Sequence, residues 1–225
     1  ISRTRQFVIA GIGAEYHPTA ISELYTNFSQ AYRPILFGDL TPPATTDVID
    51  NNLKDAKGYN FDLGYRGKVG KYLNFDIDYF YVGYNDRIGT LTQTDANNVR
   101  YQFRTNIGNS VSRGVESYIE FDPLAAFWDK KRLGSLSLFA SMAYIHARYA
   151  DFKTTTVVNG QIIEGTLSGK RVENAPQKIN RYGITYSKKD ISITWQLSDI
   201  GAAYSDASNT ELPNAFSPRL RFIVL

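Results

Sequence analysis

The feature that most constrains this chain is a strict alternation of apolar and polar residues over long stretches. From Tyr59 to Val69 the apolar residues fall on one parity and the polar residues on the other. After a short Gly-Lys link the same pattern returns from Leu73 to Tyr81. Because side chains of a strand point alternately to opposite faces, each stretch predicts a strand with one apolar and one polar face. About ten residues per strand is the length that crosses a bilayer at the tilt of a barrel strand.

The alternation predicts eight strands and the start of a ninth. These strands are Arg5 to Tyr16, Ser22 to Arg33, Gly58 to Val69, Tyr72 to Gly89, Arg100 to Phe121, Ser135 to Tyr149, Lys178 to Ser187, Ile191 to Tyr204 and Arg219 to Leu225. The fifth strand is interrupted at Asn106-Ile107-Gly108-Asn109, where glycine and asparagine predict a bulge. The fold class is therefore all-β, with strands long enough for a transmembrane barrel.

The connections between these strands alternate in length. Three of them are short turns, at His17–Ala20, Gly70–Lys71 and Lys188–Asp190. Others are longer polar loops, at residues 34–57, 90–99 and 150–177. Outer-membrane barrels keep short turns on the periplasmic side and longer loops outside. The alternation of length therefore favours an antiparallel transmembrane β-barrel over a soluble β-sandwich, whose strands also alternate.

Composition narrows the class of protein further. The net charge of +3 is small, and the one tight basic cluster, Lys130 to Arg132, is predicted to lie in a solvated turn, so no nucleic-acid partner is expected. Cysteine is absent, which excludes disulfides and thiolate metal sites. Tyrosine is abundant, with 16 residues, as suits a surface at a membrane interface.

No residue pattern in the chain predicts catalysis. The two histidines, His17 and His146, are far apart in sequence, and we expect both to be solvated or interfacial and neither to bind a metal. Asp76 and Asp78 lie on one strand face, the spacing of residues that line a barrel lumen. We therefore expect neither an enzyme nor a bound cofactor.

Several short motifs resemble those of TonB-dependent outer-membrane receptors, in particular the branch of ferric citrate and ferric siderophore receptors. They are Tyr25-Thr26-Asn27-Phe28-Ser29 with Tyr32-Arg33-Pro34, Asn106 to Asn109 leading into Arg113-Gly114-Val115-Glu116, Glu173 to Gln177, and Tyr204 to Ala207 with Asn209-Thr210. Their order and spacing extend over nearly the whole chain. The final residues, from Asn214 on, follow the family less well.

The resemblance implies part of a plugged β-barrel of about 22 strands in the outer membrane of a bacterium. Residues 1–225 would then be a C-terminal portion of the barrel, without the plug domain and the last strands. The implied partners are the lipid bilayer, a ferric chelate, and a TonB complex that acts through an N-terminal region. Iron would be carried only as part of the transported chelate.

In such receptors the ligand lies on the extracellular side, which here would comprise residues 33–57, 84–104, 150–177 and 204–218. Arginine suits an anionic chelate because its guanidinium binds carboxylates in a bidentate way. The predicted ligand-binding residues are therefore Arg87, Arg100, Arg104 and Arg171, with Tyr101 and Gln102 as neutral partners.

Three other functions remain open from the sequence. One is a passive outer-membrane channel or an adhesin-like barrel without a plug. A second is a barrel of the same family that takes up a glycan or cobalamin. The third is a soluble β-sandwich that acts as a binding module. A plug domain encoded upstream would separate the energised receptors from the passive barrels, and solubility of the intact protein without detergent would favour the sandwich.

Overall fold

The computed structural model describes residues 7–40, 47–128, 133–210 and 220–224, and these ranges are almost wholly β. The strands are β1 (Gly11–Thr19), β2 (Ser22–Arg33), β3 (Asp47–Ile49), β4 (Ala56–Val69), β5 (Leu73–Thr94), β6 (Arg100–Phe121), β7 (Ser135–Val158), β8 (Gln161–Thr166), β9 (Lys178–Lys188), β10 (Ile191–Ile200) and β11 (Leu220–Val224). Two short helices, α1 (Phe37–Leu40) and α2 (Pro123–Phe127), lie in the connections. Within the described ranges no helix has the length and apolarity needed to span a bilayer.

Nine strands form a single antiparallel path, in the order β1-β2-β4-β5-β6-β7-β9-β10-β11. Each pairs with the next strand of the path, as expected for an up-and-down barrel wall. Two short strands lie off this path, β3 parallel to β6 and β8 antiparallel to β7. The eight predicted strands and the start of a ninth are thus confirmed, and the sheet is not closed in this piece of the wall.

Several predicted boundaries were wrong. Strand β1 begins at Gly11 rather than at Arg5, which lies outside the described residues, and it runs through the predicted turn as far as Thr19. Strand β10 ends at Ile200, four residues early. The predicted bulge is confirmed by the shift of register between Gly108 and Ser110, but β6 continues through it as one strand.

The predicted polar loops are also wrong over much of their length. Strand β5 continues to Thr94, and β7 continues to Val158 and turns into β8, so both loops are largely β-ribbons. The segment 34–57 contains α1 and β3, while its Pro42-Pro43 lies outside the described residues, as does the basic cluster Lys130 to Arg132. A ribbon beyond the membrane has water on both faces, so its strands need no apolar parity and give no alternation to detect.

The two faces of the sheet differ as the alternation predicts. Leu63, Tyr79, Val115 and Tyr144 are paired successively across four strands, and their side chains are 44%, 38%, 44% and 52% exposed. We name the face that carries this row the outward face, because an exposed apolar band is what a barrel presents to lipid. The opposite face, the lumen face, carries the predicted charges Asp62, Asp76, Asp78 and Glu116.

The described residues contain little hydrophobic core. Tyr149, Phe152 and Leu167 form one buried cluster, and it lies beyond the wall, where β7 passes into its ribbon. The wall itself is stabilised by backbone hydrogen bonds between its strands, and its apolar outward face is the one that a barrel presents to lipid. The candidate ligand-binding side chains therefore lie at the ends of the strands and in the connections beyond them, and not in the hydrophobic core.

A charge placed on the outward face should destabilise the protein. Val115→Arg puts a guanidinium into the apolar band, and we expect the free energy of unfolding to fall by roughly 2 kcal/mol. Ser112→Arg is the matched control, because residue 112 lies on the lumen face of the same strand. Urea titration of the full-length receptor in phospholipid vesicles measures both variants. Equal losses would contradict the assignment of the faces.

Candidate functional site at the long-loop end

The two ends of the sheet are built differently. At the short-turn end, residues 20–21, 70–72 and 189–190 join neighbouring strands. At the other end, here called the long-loop end, lie α1, β3, the β5–β6 ribbon and the β7–β8 ribbon. All six predicted ligand-binding residues lie at the long-loop end. By the rule for outer-membrane barrels this is the extracellular end.

The β5–β6 ribbon carries four of the predicted residues. Arg100, Gln102 and Arg104 share one face of β6, and Tyr101 lies on the other. The Tyr101 hydroxyl donates to Gln93 Oε1 at 2.7 Å, and Gln102 Nε2 donates to Thr92 Oγ1 at 3.3 Å. These two side chains therefore tie β6 to β5, while the arginines reach beyond the ribbon.

Arg104 takes part in an anion cradle, a cluster that we define as Arg33, Asp39 and Arg104. Arg33 Nη2 donates to Asp39 Oδ2 at 3.1 Å, and Arg104 Nη2 donates to Asp39 Oδ1. The backbone N–H of Leu36 also donates to Asp39 Oδ2, at 2.9 Å. The residue Asp39 is only 3% exposed. The strand end at Arg33, helix α1 and the β5–β6 ribbon thus meet at one carboxylate.

The electrostatics of the cradle favour a negative charge at its centre. Burial alone would raise the pKa of Asp39, but hydrogen bonds from Arg104, the Leu36 N–H and Arg33 outweigh it and hold this pKa below its ordinary value. Arg104 Nε is buried and has no hydrogen-bond partner in the described part of the chain. The cradle therefore holds a buried carboxylate between two guanidiniums and leaves one buried N–H of Arg104 without a partner among the described residues.

The segment after α1 is fixed to β6 by its own contacts. Strand β3 pairs in parallel with residues 102–104 of β6. Asp50 accepts a hydrogen bond from Thr105 Oγ1 at 2.6 Å, which together with the Asn52 N–H lowers the pKa of Asp50. Lys54 and Asn106 exchange two further hydrogen bonds. Strand β3 therefore lies along β6 at the position of Arg104.

Arg87 is half-buried and makes its contacts with other residues of the protein. Its Nη2 lies 3.2 Å from Glu173 Oε1, and its guanidinium lies 5.8 Å and 6.0 Å from the ring centroids of Tyr149 and Phe152. The Tyr149 hydroxyl donates to the other oxygen of Glu173, and Tyr149 is 1% exposed. Arg87 thus joins the two ribbons at the bulge, and its predicted contact with ligand stays a prediction.

The remaining two arginines lie apart from the cradle. Arg100 Nη2 donates to the carbonyl oxygen of Gly160 at 2.8 Å, which links the tip of one ribbon to the tip of the other. Arg171 lies opposite Arg148 in an isolated antiparallel bridge, and its guanidinium is 5.3 Å from the Tyr204 ring centroid. The structure therefore brings Arg104 and Arg100 to one ribbon face and places Arg171 on a different surface.

Sequence reasoning missed two members of the cradle, Arg33 and Asp39. Arg33 was read as the last residue of a strand, which it is, and Asp39 as part of a surface loop. Asp39 is separated from Arg104 by 65 positions, and nothing in the local sequence of either residue signals the other. Only the tertiary structure shows that Asp39 lies between Arg33 and Arg104.

One other cluster has the residue types of a metal site. The ligand atoms of Glu15, His17 and Glu23 lie within 4.8 Å of one another at the short-turn end, and they are the one such group in the described ranges. Arg66 Nη2 already binds Glu23 at 2.7 Å, so one of the three ligands is neutralised by a cation. We assign no metal to this cluster.

Comparison with known proteins gives the class of molecule. The family model described as TonB dependent receptor-like, beta-barrel, matches residues 2–221. The chain belongs to the TonB-dependent receptor family, as part of its β-barrel. Barrels of this family lie in the bacterial outer membrane, and the family comprises receptors and transporters. No curated protein sequence matches the chain.

Solved structures agree on the fold. The unliganded ferric citrate transporter FecA has a TM-score of 0.66 and 19% identity, over 96% of this chain and 29% of that one. The siderophore receptor PiuA from Acinetobacter baumannii has a TM-score of 0.64 and 17% identity, over 91% and 27%. The ferric yersiniabactin uptake receptor FyuA from Yersinia pestis has a TM-score of 0.58 and 18% identity, over 88% and 26%. The chain thus spans less than a third of each protein, as one continuous barrel wall rather than a sandwich.

Proposed function

We propose that this chain is part of the wall of a receptor that takes up a ferric chelate bearing carboxylates, such as ferric citrate or another carboxylate siderophore. The observation that carries the proposal is the anion cradle. Two arginines from distant parts of the chain converge on one carboxylate at the extracellular end, and Arg104 Nε has no partner among the described residues. Arg100 and Gln102 lie on the same face of the ribbon. The three solved neighbours are named for ferric citrate, a siderophore and ferric yersiniabactin, which supports a ferric ligand.

The mechanism that we propose uses Asp39 as an internal stand-in for the ligand. Before ligand binds, Asp39 keeps Arg33 and Arg104 oriented and prevents two guanidiniums from repelling each other. A ligand carboxylate would compete with Asp39 for the donors of Arg33 and Arg104, whose side chains are 37% and 32% exposed. Because the two guanidiniums are already held close together, the ligand would have to displace Asp39 but not to assemble the arginines. Uptake requires only that the receptor binds the chelate and that the chelate then moves through the barrel. We therefore propose no chemical conversion and no cofactor, and iron enters only as part of the chelate.

Import would require parts of the receptor beyond this wall. We propose that the rest of the protein supplies a plug domain and an N-terminal segment through which a TonB complex delivers energy. The lumen face, with Asp62, Asp76, Asp78 and Glu116, would then face the plug or water. Membership in the TonB-dependent family supports this arrangement. A passive channel would lack the dependence on TonB.

The test is ligand binding by the full-length receptor with and without two arginines of the ribbon. Arg100→Gln combined with Arg104→Gln should weaken the binding of ferric citrate at least about 100-fold, because each charge-assisted hydrogen bond contributes about 1.5–3 kcal/mol. Lys68→Gln combined with Arg181→Gln is the control, since it removes two positive charges from the lumen face, away from the long-loop end. Isothermal titration in neutral detergent measures all three proteins.

Two outcomes would overturn the proposal. If both double variants bind ferric citrate as the unaltered receptor does, the cradle is not a carboxylate site, and a neutral glycan or cobalamin becomes the better ligand class. If uptake of the chelate by whole cells is the same with and without TonB, the energised mechanism fails and a passive channel remains. The two results are independent, because the first concerns recognition and the second concerns energy.

A further inference from the structure

A group of cations lies on the outward face, directly beyond the apolar band. Arg113 of β6 is paired with His146 of β7, one row beyond the apolar pair Val115 and Tyr144. One row further toward the long-loop end lies Arg148, and Arg171 is opposite it in an isolated bridge. Lys178 of β9 is paired with Tyr144. We name the four charged residues Arg113, Arg148, Arg171 and Lys178 the outer basic patch.

In the ranges that the structure describes, no carboxylate oxygen lies within 4 Å of a cation of the outer basic patch. Elsewhere in the described residues Arg33, Arg66, Arg87 and Arg104 each lie within 4 Å of an acidic oxygen, whereas the four cations of the patch do not. By the register of the sheet, the acid nearest to the patch on the outward face is Asp199, which is paired with Asn180 in the row below Lys178. The patch is therefore a concentration of positive charge that no described acidic residue pairs with.

The neighbours within the patch also favour an anion. Arg148 Nε donates to His146 Nε2 at 2.8 Å, so this histidine accepts through a lone pair and adds no positive charge in that arrangement. Arg148 Nη1 donates to the carbonyl oxygen of Gly169. These contacts orient the guanidinium of Arg148 while Arg113 and Lys178 stay exposed. An oriented guanidinium loses less entropy when it binds an anion with two parallel hydrogen bonds.

The position of the patch identifies the kind of anion. The residues immediately below it, Val115 and Tyr144, are 44% and 52% exposed and belong to the lipid-facing band. Tyrosine and basic side chains at the edge of such a band meet lipid head groups. We propose that the outer basic patch binds the phosphate group of an anionic lipid of the external leaflet, whose acyl chains lie against Val115 and Tyr144. A free phosphate ion would leave this adjoining apolar surface unused.

This inference concerns a different surface and a different ligand from the import proposal, so the two can fail separately. Arg171 was predicted from sequence as a ligand-binding residue. Because Arg171 belongs to the outer basic patch, we expect it to contact a lipid phosphate and not a carboxylate of the chelate. A lipid bound at this position would contact β6, β7 and the segment before β9 together, because the patch draws its cations from all three.

The test measures binding of a defined lipid to the full-length receptor. Phosphatidylglycerol is titrated into the receptor in neutral detergent, and bound lipid is counted by native mass spectrometry. Arg113→Gln combined with Arg148→Gln should weaken binding about tenfold or more, since each surface cation contributes about 1 kcal/mol toward an anionic head group. Lys68→Gln combined with Arg181→Gln removes the same charge from the lumen face and should change nothing.

The other arms of the experiment can overturn the proposal. Arg113→Lys combined with Arg148→Lys keeps the charge and should retain most of the binding, which guards against a folding defect in the glutamine variant. Heat-modifiable migration on gels checks that each variant is folded. Equal binding of phosphatidylglycerol to the glutamine variant and the control contradicts the proposal. So does equal binding of neutral phosphatidylcholine, or displacement of the lipid by inorganic phosphate alone.

Discussion

Replacing Gly108 with alanine is expected to lower the free energy of unfolding of the receptor by about 4 kcal/mol, a loss at the upper end for single substitutions. Gly108 adopts a φ of +154°, and a Cβ atom built there would lie 1.9 Å from the carbonyl oxygen of Asp151. No rotation of a methyl group relieves a contact with backbone, so the strands must separate at the bulge. Urea titration in vesicles measures the loss.

The same substitution should disturb the site as well as the wall. Gly108 is paired with Arg87 on one side and with Phe152 on the other. Separation of β6 from β7 at this point moves Tyr149 and Phe152, both of β7, away from Arg87 of β5, whose guanidinium lies 5.8 Å and 6.0 Å from their ring centroids. Arg87 then loses its aromatic neighbours. We therefore expect Gly108→Ala to increase protease cleavage in both ribbons.

Substitutions of two further glycines separate the two causes of the lost stability, steric contact with the backbone and backbone strain. Gly169 has a φ of +82° with nothing within 4 Å of a built Cβ, so Gly169→Ala adds only backbone strain, about 1 kcal/mol. Gly38 lies in α1 and also has nothing within 4 Å, and Gly38→Ala should be neutral. If Gly108→Ala costs no more than Gly169→Ala, the close approach of Asp151 does not exist and the geometry of the bulge is wrong.

The wall could be predicted from the sequence because lipid and water impose opposite demands on its faces. The parity of Tyr59 to Val69 and of Leu73 to Tyr81 determined which side chains share a face, and the paired rows of the structure agree. The bulge was predicted from Asn106 to Asn109 because glycine in a strand signals an irregularity. Beyond the membrane neither face of a strand contacts lipid, so the alternation of apolar and polar residues is no longer required. Residues 90–94 and 150–158 are strands without an apolar parity, so their ribbons were read as loops.

The candidate site was harder to predict because its members come from distant parts of the chain. Arginines at the long-loop end were predicted from ligand chemistry; Arg104 forms an ion pair with Asp39, and its contact with ligand stays a prediction. The chemistry of arginine alone does not distinguish this role from the packing role of Arg87 or from the outward position of Arg171. Only tertiary contacts make that distinction, and those contacts depend on the fold of segments that carry no periodic signal.

Asp39→Asn is the second substitution with a large expected effect, and its effect should be local. The carboxylate is buried and binds two guanidiniums, so its neutralisation leaves Arg33 and Arg104 facing each other without a counter-charge. Removing one member of such a pair costs about 3 kcal/mol. Residues 34–55 are joined to the wall through these contacts and β3, so we expect faster hydrogen exchange there, measured by mass spectrometry. Stability of the strands in the membrane should hardly change.

The effect of pH gives an independent check on Asp39. Its pKa is lower in the folded protein than the ordinary value of 3.8, so the folded state binds fewer protons than the unfolded state. The stabilisation is therefore complete above the ordinary pKa and is lost as pH falls through the lower folded value. Exchange in residues 34–55 should be constant from neutral pH down to about 5, apart from the intrinsic effect of pH on exchange. It should rise only in stronger acid, and in Asp39→Asn this acid step should be absent.

Asp190→Asn is the matched control, because Asp190 lies in an exposed turn at the short-turn end, far from residues 34–55 along the sheet. Exchange in residues 34–55 should be the same in this variant as in the unaltered receptor. The cradle also predicts the direction of the effect on ligand. If Asp39 competes with a chelate carboxylate, Asp39→Asn should bind ferric citrate more tightly while its loop exchanges faster. Weaker binding of ferric citrate would mean that Asp39 orients the arginines more than it blocks them. Unchanged hydrogen exchange in residues 34–55 would show that the cradle does not hold this segment in place.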